Sequence, residues 1–299
     1  MKRVGILCPS DTELAPLLAH IPSPRTIRKA MLTFYLGTLE GVDVVAVYSG
    51  VCKVNAAVAA QILADAFPVS AIFVVGTAGG TAEDGQLFDT VISRQVVYHD
   101  VADDILTEYH PWMPTSFFSA DAKLLALAEA YGQIAPFSIR FGTIATGEAF
   151  IADEGRAEIC QKFAPLCVDM ETASVAHVCY VNGIPFLGVR SITDTATHQG
   201  IENFERNCEQ ASERAAAVAR GILALLAQKP WRRLYKRAAG KLSQLPAARH
   251  FMLINRSMKT DSPHFPWPSI PFLLRRIFFG ELLHILLREA GEPHNLLYR

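Results

Sequence analysis

Short runs of β-branched and apolar residues alternate with longer segments of helical periodicity along the first 228 residues. The short runs predict β-strands at 3–8, 42–48, 71–75, 89–97, 140–145 and 186–190. The longer segments carry apolar residues three and four positions apart, and they predict α-helices at 11–20, 53–67, 119–131, 170–181 and 201–228. Strands that alternate with helices are typical of a layered α/β fold.

The charge distribution divides the chain after Gln228. The whole sequence has 28 Lys and Arg against 29 Asp and Glu, a net charge of −1. Residues 229–299 hold 13 of the basic and 4 of the acidic side chains, which is +9 and leaves 15 basic and 25 acidic, or −10, for residues 1–228. We therefore predict a domain at 1–228 and a basic C-terminal extension at 229–299.

The extension has a helical pattern at 272–289, with a narrow polar stripe and a wide apolar face. Its basic and aromatic composition, with Trp231 and Trp267, is compatible with an anionic membrane surface or with nucleic acid. We favour a third interpretation, in which the apolar face packs on the acidic domain or on a second subunit.

Neither a secretory signal nor a membrane span is evident in the sequence. The apolar stretch after Met1-Lys2-Arg3 is too short for a signal peptide, and no apolar run approaches the roughly 20 residues that cross a bilayer. The six cysteines are scattered without a Cys-x-x-Cys pair, which argues against a metal cluster or a disulfide framework. We expect a cytoplasmic protein with reduced, mostly buried thiols.

Glycine-rich or acidic turns follow several predicted strands, where open α/β sheets place their ligand crevice. These turns are Ser-Gly-x-x-Lys-Val-Asn at 49–55, Gly-Thr-Ala-Gly-Gly at 76–80, Thr-Gly-Glu-Ala-Phe-Ile at 146–151, Val-Asp-Met-Glu at 168–171 and Arg-Ser-Ile-Thr-Asp at 190–194. Each alone is a weak signal, because an acidic residue after a strand is often a helix N-cap. Their order and spacing together indicate a ligand site.

Together with Glu13 and a Tyr-His-Asp run at 98–100, these motifs resemble those of the 5′-methylthioadenosine/S-adenosylhomocysteine nucleosidases, a family of the nucleoside phosphorylase superfamily. The resemblance covers roughly residues 1–228. It implies a three-layer α/β/α sandwich around a mixed central sheet, a homodimer, a small nucleoside as substrate, and no metal or organic cofactor.

The resemblance also implies how the chain would cleave an N-ribosidic bond, which needs a better leaving group and a water on the opposite sugar face. Asp194 would be the general acid that protonates the purine at N7. Glu13 would activate the water with help from Thr77 and Arg190, and Glu171 would bind the ribose hydroxyls. Because Asp194 must hold a proton, we expect burial or a neighbouring carboxylate to raise its pKa. Taken singly, Arg190 is equally well a structural ion-pair partner.

The substrate-binding residues follow from the same resemblance. Phe150 would stack on the adenine, and the Ile151 backbone would read the edge of the base. Met170 would pack under the ribose, while Phe204 and Val51 would line the pocket around the sugar and its 5′ substituent. Apart from the resemblance, such apolar residues are more often part of a core.

Several positions depart from the family pattern. Glu148 stands where the family has Asp, Asp169 where it has Glu, and Cys52 where it has Gly. Cys52 therefore adds a side chain near the pocket. Asp103 and Asp104 occupy a region that is apolar in the family, so we predict that S-adenosylhomocysteine is accepted at least as well as methylthioadenosine.

Other functions are compatible with parts of this pattern. A nucleosidase for aminodeoxyfutalosine would use the same residues. A phosphate-dependent phosphorylase is disfavoured, because the acidic run at 11–13 would repel the anion. A non-catalytic adenosine-binding scaffold that acts through the basic extension would not need Glu13, Glu171 and Asp194 together.

Overall fold

The computed structural model of the protein describes residues 3–151, 155–195 and 201–228. The extension at 229–299, with its predicted helix at 272–289, lies outside the described residues. The boundary at 228 and the three interpretations of the extension therefore stay predictions.

Ten strands in the described part of the chain form one mixed sheet. They are β1 Arg3–Cys8, β2 Arg25–Lys29, β3 Leu32–Leu39, β4 Val42–Tyr48, β5 Val69–Gly80, β6 Thr90–Tyr98, β7 Phe118–Ser119, β8 Ile139–Thr146, β9 Cys167–Asp169 and β10 Phe186–Asp194. The order across the sheet is β10-β6-β8-β9-β5-β1-β4-β3-β2, with β7 beside β6. Because β10 also pairs with β5, five strands close into a ring at one side of the sheet.

Helices cover both faces of this sheet. They are α1 Asp11–Leu18, α2 Lys53–Ala66, α3 Ile105–Glu108, α4 Ala122–Gly132, α5 Arg156–Phe163, α6 Thr172–Asn182 and α7 Ile201–Ala227. Helices α2 and α6 share one apolar core with the sheet, and α1, α4 and α7 share another. Neighbouring residues of β4 alternate between the two cores, with Val45 in the first and Val44 in the second, as strand geometry requires. The three-layer α/β/α sandwich is confirmed.

All the strands and helices predicted within residues 1–228 are present, although several ends differ. β1 and β4 match the predicted bounds, whereas β5 and β10 continue past residues 75 and 190 into small and polar residues. These residues continue as strand because 76–79 of β5 pair with 190–194 of β10. The buried Ser191 hydroxyl of β10 also lies 2.8 Å from Thr90 Oγ1 of β6. Helix α4 begins later than predicted, since the Asp121 side chain caps it by accepting from the N–H groups of Lys123 and Leu124.

The β2–β3 hairpin, the short strands β7 and β9, and the helices α3 and α5 have no counterpart among the predicted elements. β2 lies at the sheet edge with mostly exposed side chains, so it carries no apolar alternation. β7, β9, α3 and α5 span two to eight residues, a length at which periodicity carries little information.

All six cysteines are free thiols. Cys8, Cys167 and Cys179 are buried, but the other three are partly exposed, so the expectation of mostly buried thiols is correct for half of them. None of the helices within the described ranges is long and apolar enough to cross a membrane.

Candidate active site

A cleft of about 220 Å³ lies where β1, β5, β8 and β9 end. Eight of the ten predicted site residues line it: Glu13, Val51, Thr77, Phe150, Ile151, Met170, Glu171 and Phe204. The other two, Arg190 and Asp194, are buried on β10, where they pair with Gly76 and with the cleft-lining Gly79 of the neighbouring strand β5. The structure thus brings together side chains that are distant in the sequence.

Glu13 is held by hydrogen bonds on both carboxylate oxygens. Ser10 caps α1 by accepting from the Glu13 N–H at 3.3 Å, and its hydroxyl donates to Glu13 Oε2 at 2.7 Å. The backbone N–H and the hydroxyl of Thr77 donate to Oε1 at 2.7 and 3.0 Å. Ser-x-x-Glu is a capping-box sequence, but here the Glu side chain turns toward β5. The carboxylate therefore has a fixed orientation at the cleft.

Arg190 is fully buried, with a relative exposure of 0%. Its Nε lies 2.8 Å from Asp169 Oδ2, its Nη2 3.2 Å from Glu171 Oε2, and its Nη1 3.9 Å from Glu13 Oε1. Burial acts to lower the pKa of Arg190, but the three carboxylates outweigh it and raise that pKa above its ordinary value. One guanidinium thus balances part of the charge of three carboxylates, which supports the interpretation of Arg190 as an ion-pair partner.

Gly76 makes this arrangement possible. A Cβ at this position would overlap with Glu13 Oε1 and would lie 2.8 Å from Arg190 Nη1. Any larger residue at position 76 would therefore push the Glu13 carboxylate and the Arg190 guanidinium apart.

Glu171 occupies the N-cap position of α6 and is also buried. Its Oε1 accepts from the Cys52 N–H at 2.9 Å, while its Oε2 faces Arg190. Burial raises the pKa of Glu171 to about 7, with Arg190 acting in the opposite direction. The group is therefore close to its titration point at neutral pH.

Asp194 ends β10 and is 1% exposed. Its Oδ1 accepts from the Thr193 hydroxyl at 2.8 Å, and a Cβ on Gly79 would lie 3.1 Å from its Oδ2. Burial raises the pKa of Asp194 above its ordinary value, although Thr193 and Arg156 oppose this. Asp194 is thus buried, as predicted, and burial is the cause of the upward shift of its pKa. Because the cleft-lining Gly79 has no side chain, the Asp194 carboxyl group can lie this close to it.

The opposite wall of the cleft is apolar and partly open. Phe150 is 41% exposed and meets Phe204 edge to face, with ring centroids 6.1 Å apart. Val51 is also half-exposed, so neither residue belongs to the core. An exposed aromatic ring at a cleft mouth offers a stacking surface for a flat base.

Several residues that contact the predicted site residues were not predicted to do so, among them Ser10, Asp169 and Cys52. Ser10 bonds Glu13, Asp169 is the nearest carboxylate to Arg190, and Cys52 donates its N–H to Glu171. The capping-box spacing could have indicated Ser10. By contrast, Asp103 is not among the cleft-lining residues, and its carboxylate is 2.7 Å from Lys162 Nζ.

The backbone of Cys52 is strained, and this leads to a stability prediction. Its φ of 80° and ψ of 164° fall in a region that essentially only glycine occupies, at a cost of about 1–3 kcal/mol. We expect Cys52→Gly to raise the free energy of unfolding by about 1 kcal/mol after the entropic cost of glycine, about 0.5–1 kcal/mol, is subtracted. Urea titration of the full chain measures this. Cys52→Ala retains the backbone strain and should not raise the free energy of unfolding. If both variants raised it equally, the loss of the thiol would be the cause.

Comparisons with known proteins identify the family of the chain. The Phosphorylase superfamily profile matches residues 3–224. A 5′-methylthioadenosine/S-adenosylhomocysteine nucleosidase from Oceanobacillus iheyensis is 35% identical over 220 residues, which are 72% of this chain and 96% of that protein.

Two solved structures have a similar fold. The S-adenosylhomocysteine nucleosidase of Streptococcus pyogenes, in complex with 5-methylthiotubericidin, gives a TM-score of 0.70 at 27% identity and covers 75% of this chain and 97% of that one. The futalosine hydrolase of Helicobacter pylori gives 0.67 at 26% identity and covers 74% and 97%. From the matched profile and the curated relative, we conclude that the chain belongs to the 5′-methylthioadenosine/S-adenosylhomocysteine nucleosidases of the phosphorylase superfamily.

Proposed function

We propose that this enzyme hydrolyses the N-ribosidic bond of 5′-methylthioadenosine and S-adenosylhomocysteine, releasing adenine and the 5-substituted ribose. The observation that carries the proposal is the placement of two buried carboxyl groups along one strand of the cleft. Thr77 of β5 holds Glu13, and Gly79, two residues further, lies against Asp194. Family membership supports the same reaction.

Asp194 acts as the general acid. Its raised pKa favours the protonated form, which can donate to N7 of the purine as the bond to the sugar breaks. Protonation turns the departing base into a neutral molecule. The two carboxyl groups thus act on different parts of the substrate, with Asp194 at the base.

Glu13 acts at the sugar, where it orients a water molecule and accepts its proton. Thr77 and Ser10 fix the carboxylate, while Arg190 keeps the neighbouring carboxylates close without neutralising all of them. Positive charge develops on the ribose in the transition state, and this acidic surface stabilises it. Glu171 accepts hydrogen bonds from the ribose hydroxyls. No step of this mechanism uses a metal or an organic cofactor.

Apolar residues bind the rest of the nucleoside. Phe150 stacks on the adenine, Ile151 meets its edge through the backbone, and Met170 lies under the ribose. Phe204 and Val51 surround the 5′ substituent. All of these residues line the cleft.

The protein acts as a homodimer in the cytoplasm. Helix α2 supports the dimer, because Val54 and Val58, four residues apart and so on the same side of this helix, are 70% and 46% exposed. Exposed apolar surface of this kind is typical of a subunit interface.

A panel of substrates tests the proposed reaction. The full chain is incubated with methylthioadenosine, S-adenosylhomocysteine, 5′-deoxyadenosine, aminodeoxyfutalosine and inosine, with and without phosphate, and the base and sugar products are separated by chromatography. We expect adenine and free 5-substituted ribose from the first two without phosphate. Sugar 1-phosphate formed only when phosphate is present, or hydrolysis of aminodeoxyfutalosine alone, would contradict the assignment.

A further inference from the structure

An ionic cluster of Lys53, Asp100 and Glu148 lies next to the cleft and has no part in the mechanism above. Lys53 Nζ is 2.7 Å from Asp100 Oδ2 and 3.7 Å from Glu148 Oε2. The Glu148 N–H donates to the same Asp100 oxygen at 2.8 Å, and the Lys53 N–H donates to Glu148 Oε2 at 3.4 Å. The cluster joins the start of α2, the segment after β6 and the segment after β8.

Two of these segments continue directly into the walls of the cleft. Cys52, which precedes Lys53, donates its N–H to Glu171 Oε1 at 2.9 Å. Glu148 is followed by three cleft-lining residues, among them Phe150. The cluster therefore ties the backbone donor of Glu171 to the segment that carries the aromatic ring.

We propose that Asp100 and Lys53 are positioning residues, which hold the segment bearing Phe150 and the Cys52–Glu171 contact at a fixed separation. The proposal rests on the proposed function, because it concerns how the two walls grip a nucleoside. The side chains of Lys53 and Asp100 are 23% and 28% exposed, and an ion pair that solvent still reaches contributes only about 0–1 kcal/mol to folding stability. Folding stability alone therefore does not explain why the Lys53 ammonium and the Glu148 N–H both contact one carboxylate oxygen of Asp100.

The electrostatics of Asp100 agree with this role. Burial acts to raise the pKa of Asp100, but the hydrogen bonds from Lys53 and from the Glu148 N–H outweigh it and lower that pKa. Asp100 is therefore ionised across the neutral range. Glu148, one methylene longer than Asp, also reaches the Lys53 N–H from its own segment.

Asp100→Asn tests the proposal, because it retains the shape of the side chain and removes its charge. We expect KM for methylthioadenosine to rise about tenfold, which lies within the range for losing an aromatic–base stack, while kcat falls by less than about threefold. Lys53→Met should give a similar rise, and the double variant should be no worse than either single variant. Asp84→Asn is the matched control: it breaks the 2.7 Å pair with Arg140, which does not line the cleft, and KM should change less than about twofold.

A lower melting temperature with unchanged KM in both Asp100→Asn and Lys53→Met overturns the positioning role. Lys53→Arg retains the cation, so a lower KM in this variant than in Lys53→Met supports the positioning role. This comparison holds even if Asp100→Asn does not fold. If the wild-type enzyme releases no adenine from any nucleoside, the proposed function fails separately. Calorimetric binding of adenine then decides the point: weaker binding in Asp100→Asn but not in Asp84→Asn supports the positioning role, and equal binding overturns it.

Discussion

Asp194→Asn should lower kcat for adenine release by about 10²–10⁴-fold, the usual contribution of a positioned general acid. An amide can still donate a hydrogen bond to N7, but it cannot transfer a proton, so the base must leave as an anion. KM should change far less than kcat, because the lost interaction develops in the transition state. Chromatography of adenine released at saturating methylthioadenosine measures the effect.

Asp65→Asn is a suitable control, since Asp65 is exposed on α2 and should leave kcat within about twofold. The pH profile gives a second measurement. Because burial raises the pKa of Asp194 and its proton is required, the activity of the wild-type enzyme should fall as the pH rises through that pKa. If Asp194→Asn retains kcat within about threefold, the proton comes from elsewhere.

Arg190→Met should lower the free energy of unfolding by about 3–5 kcal/mol, which is the cost of breaking a buried ion pair from one side. The variant leaves the carboxylates of Asp169, Glu171 and Glu13 close together without a cation. For a domain of this size the melting temperature should fall by at least about 6 °C. Scanning calorimetry and urea titration of the full chain measure both quantities.

The pH dependence of this loss identifies its cause. Arg190 lowers the pKa of Glu171, which is about 7 in the wild type, so its removal should raise that pKa further. When a carboxyl group has a higher pKa in the folded than in the unfolded state, the free energy of unfolding falls as the pH rises from the unfolded to the folded pKa. Both proteins lose this stability equally up to about pH 7, and only the variant continues to lose it above that pH. The difference between variant and wild type should therefore be larger at pH 8 than at pH 7 and change little between pH 7 and pH 5.

Arg94→Met is the control for a surface pair. Arg94 lies 2.8 Å from Glu129, but both side chains are about half-exposed, so the loss should be about 0–1 kcal/mol. Equal losses for Arg94→Met and Arg190→Met, or a loss for Arg190→Met that does not change with pH, would contradict the electrostatic explanation.

The central strands could be predicted from the sequence because their residues are continuously apolar. β1 and β4 are buried along most of their length, and the pattern places both correctly. The ends of β5 and β10 could not be predicted in the same way. Their residues are small or polar, and they remain in the sheet because Gly76 accommodates Glu13 and Arg190, and because Ser191 pairs with Thr90. Such pairings join residues about a hundred positions apart.

The sequence indicated which residues belong to the site, but less well which of them contact one another. Asp194 ends β10, Glu171 follows β9 closely, and Glu13 lies in the first turn of α1, the helix after β1. Arg190 was predicted to assist the water through Glu13, yet it lies nearer to Asp169 and Glu171 than to Glu13. A buried cation needs counter-charges, but a sequence alone does not tell which acidic residue folds against it.

β5 also limits how this protein can change by insertion and deletion. Thr77 and Gly79 are two residues apart, so they lie on the same face of the strand with a spacing of roughly 6.5–7 Å. One residue gained or lost between them would turn Gly79 to the opposite face and separate Asp194 from the cleft. β5 pairs with β1, β9 and β10, so it cannot slip to compensate. Length variation that leaves the chemistry intact is therefore confined to the segments beyond the strand ends, such as those that carry Val51 and Phe150.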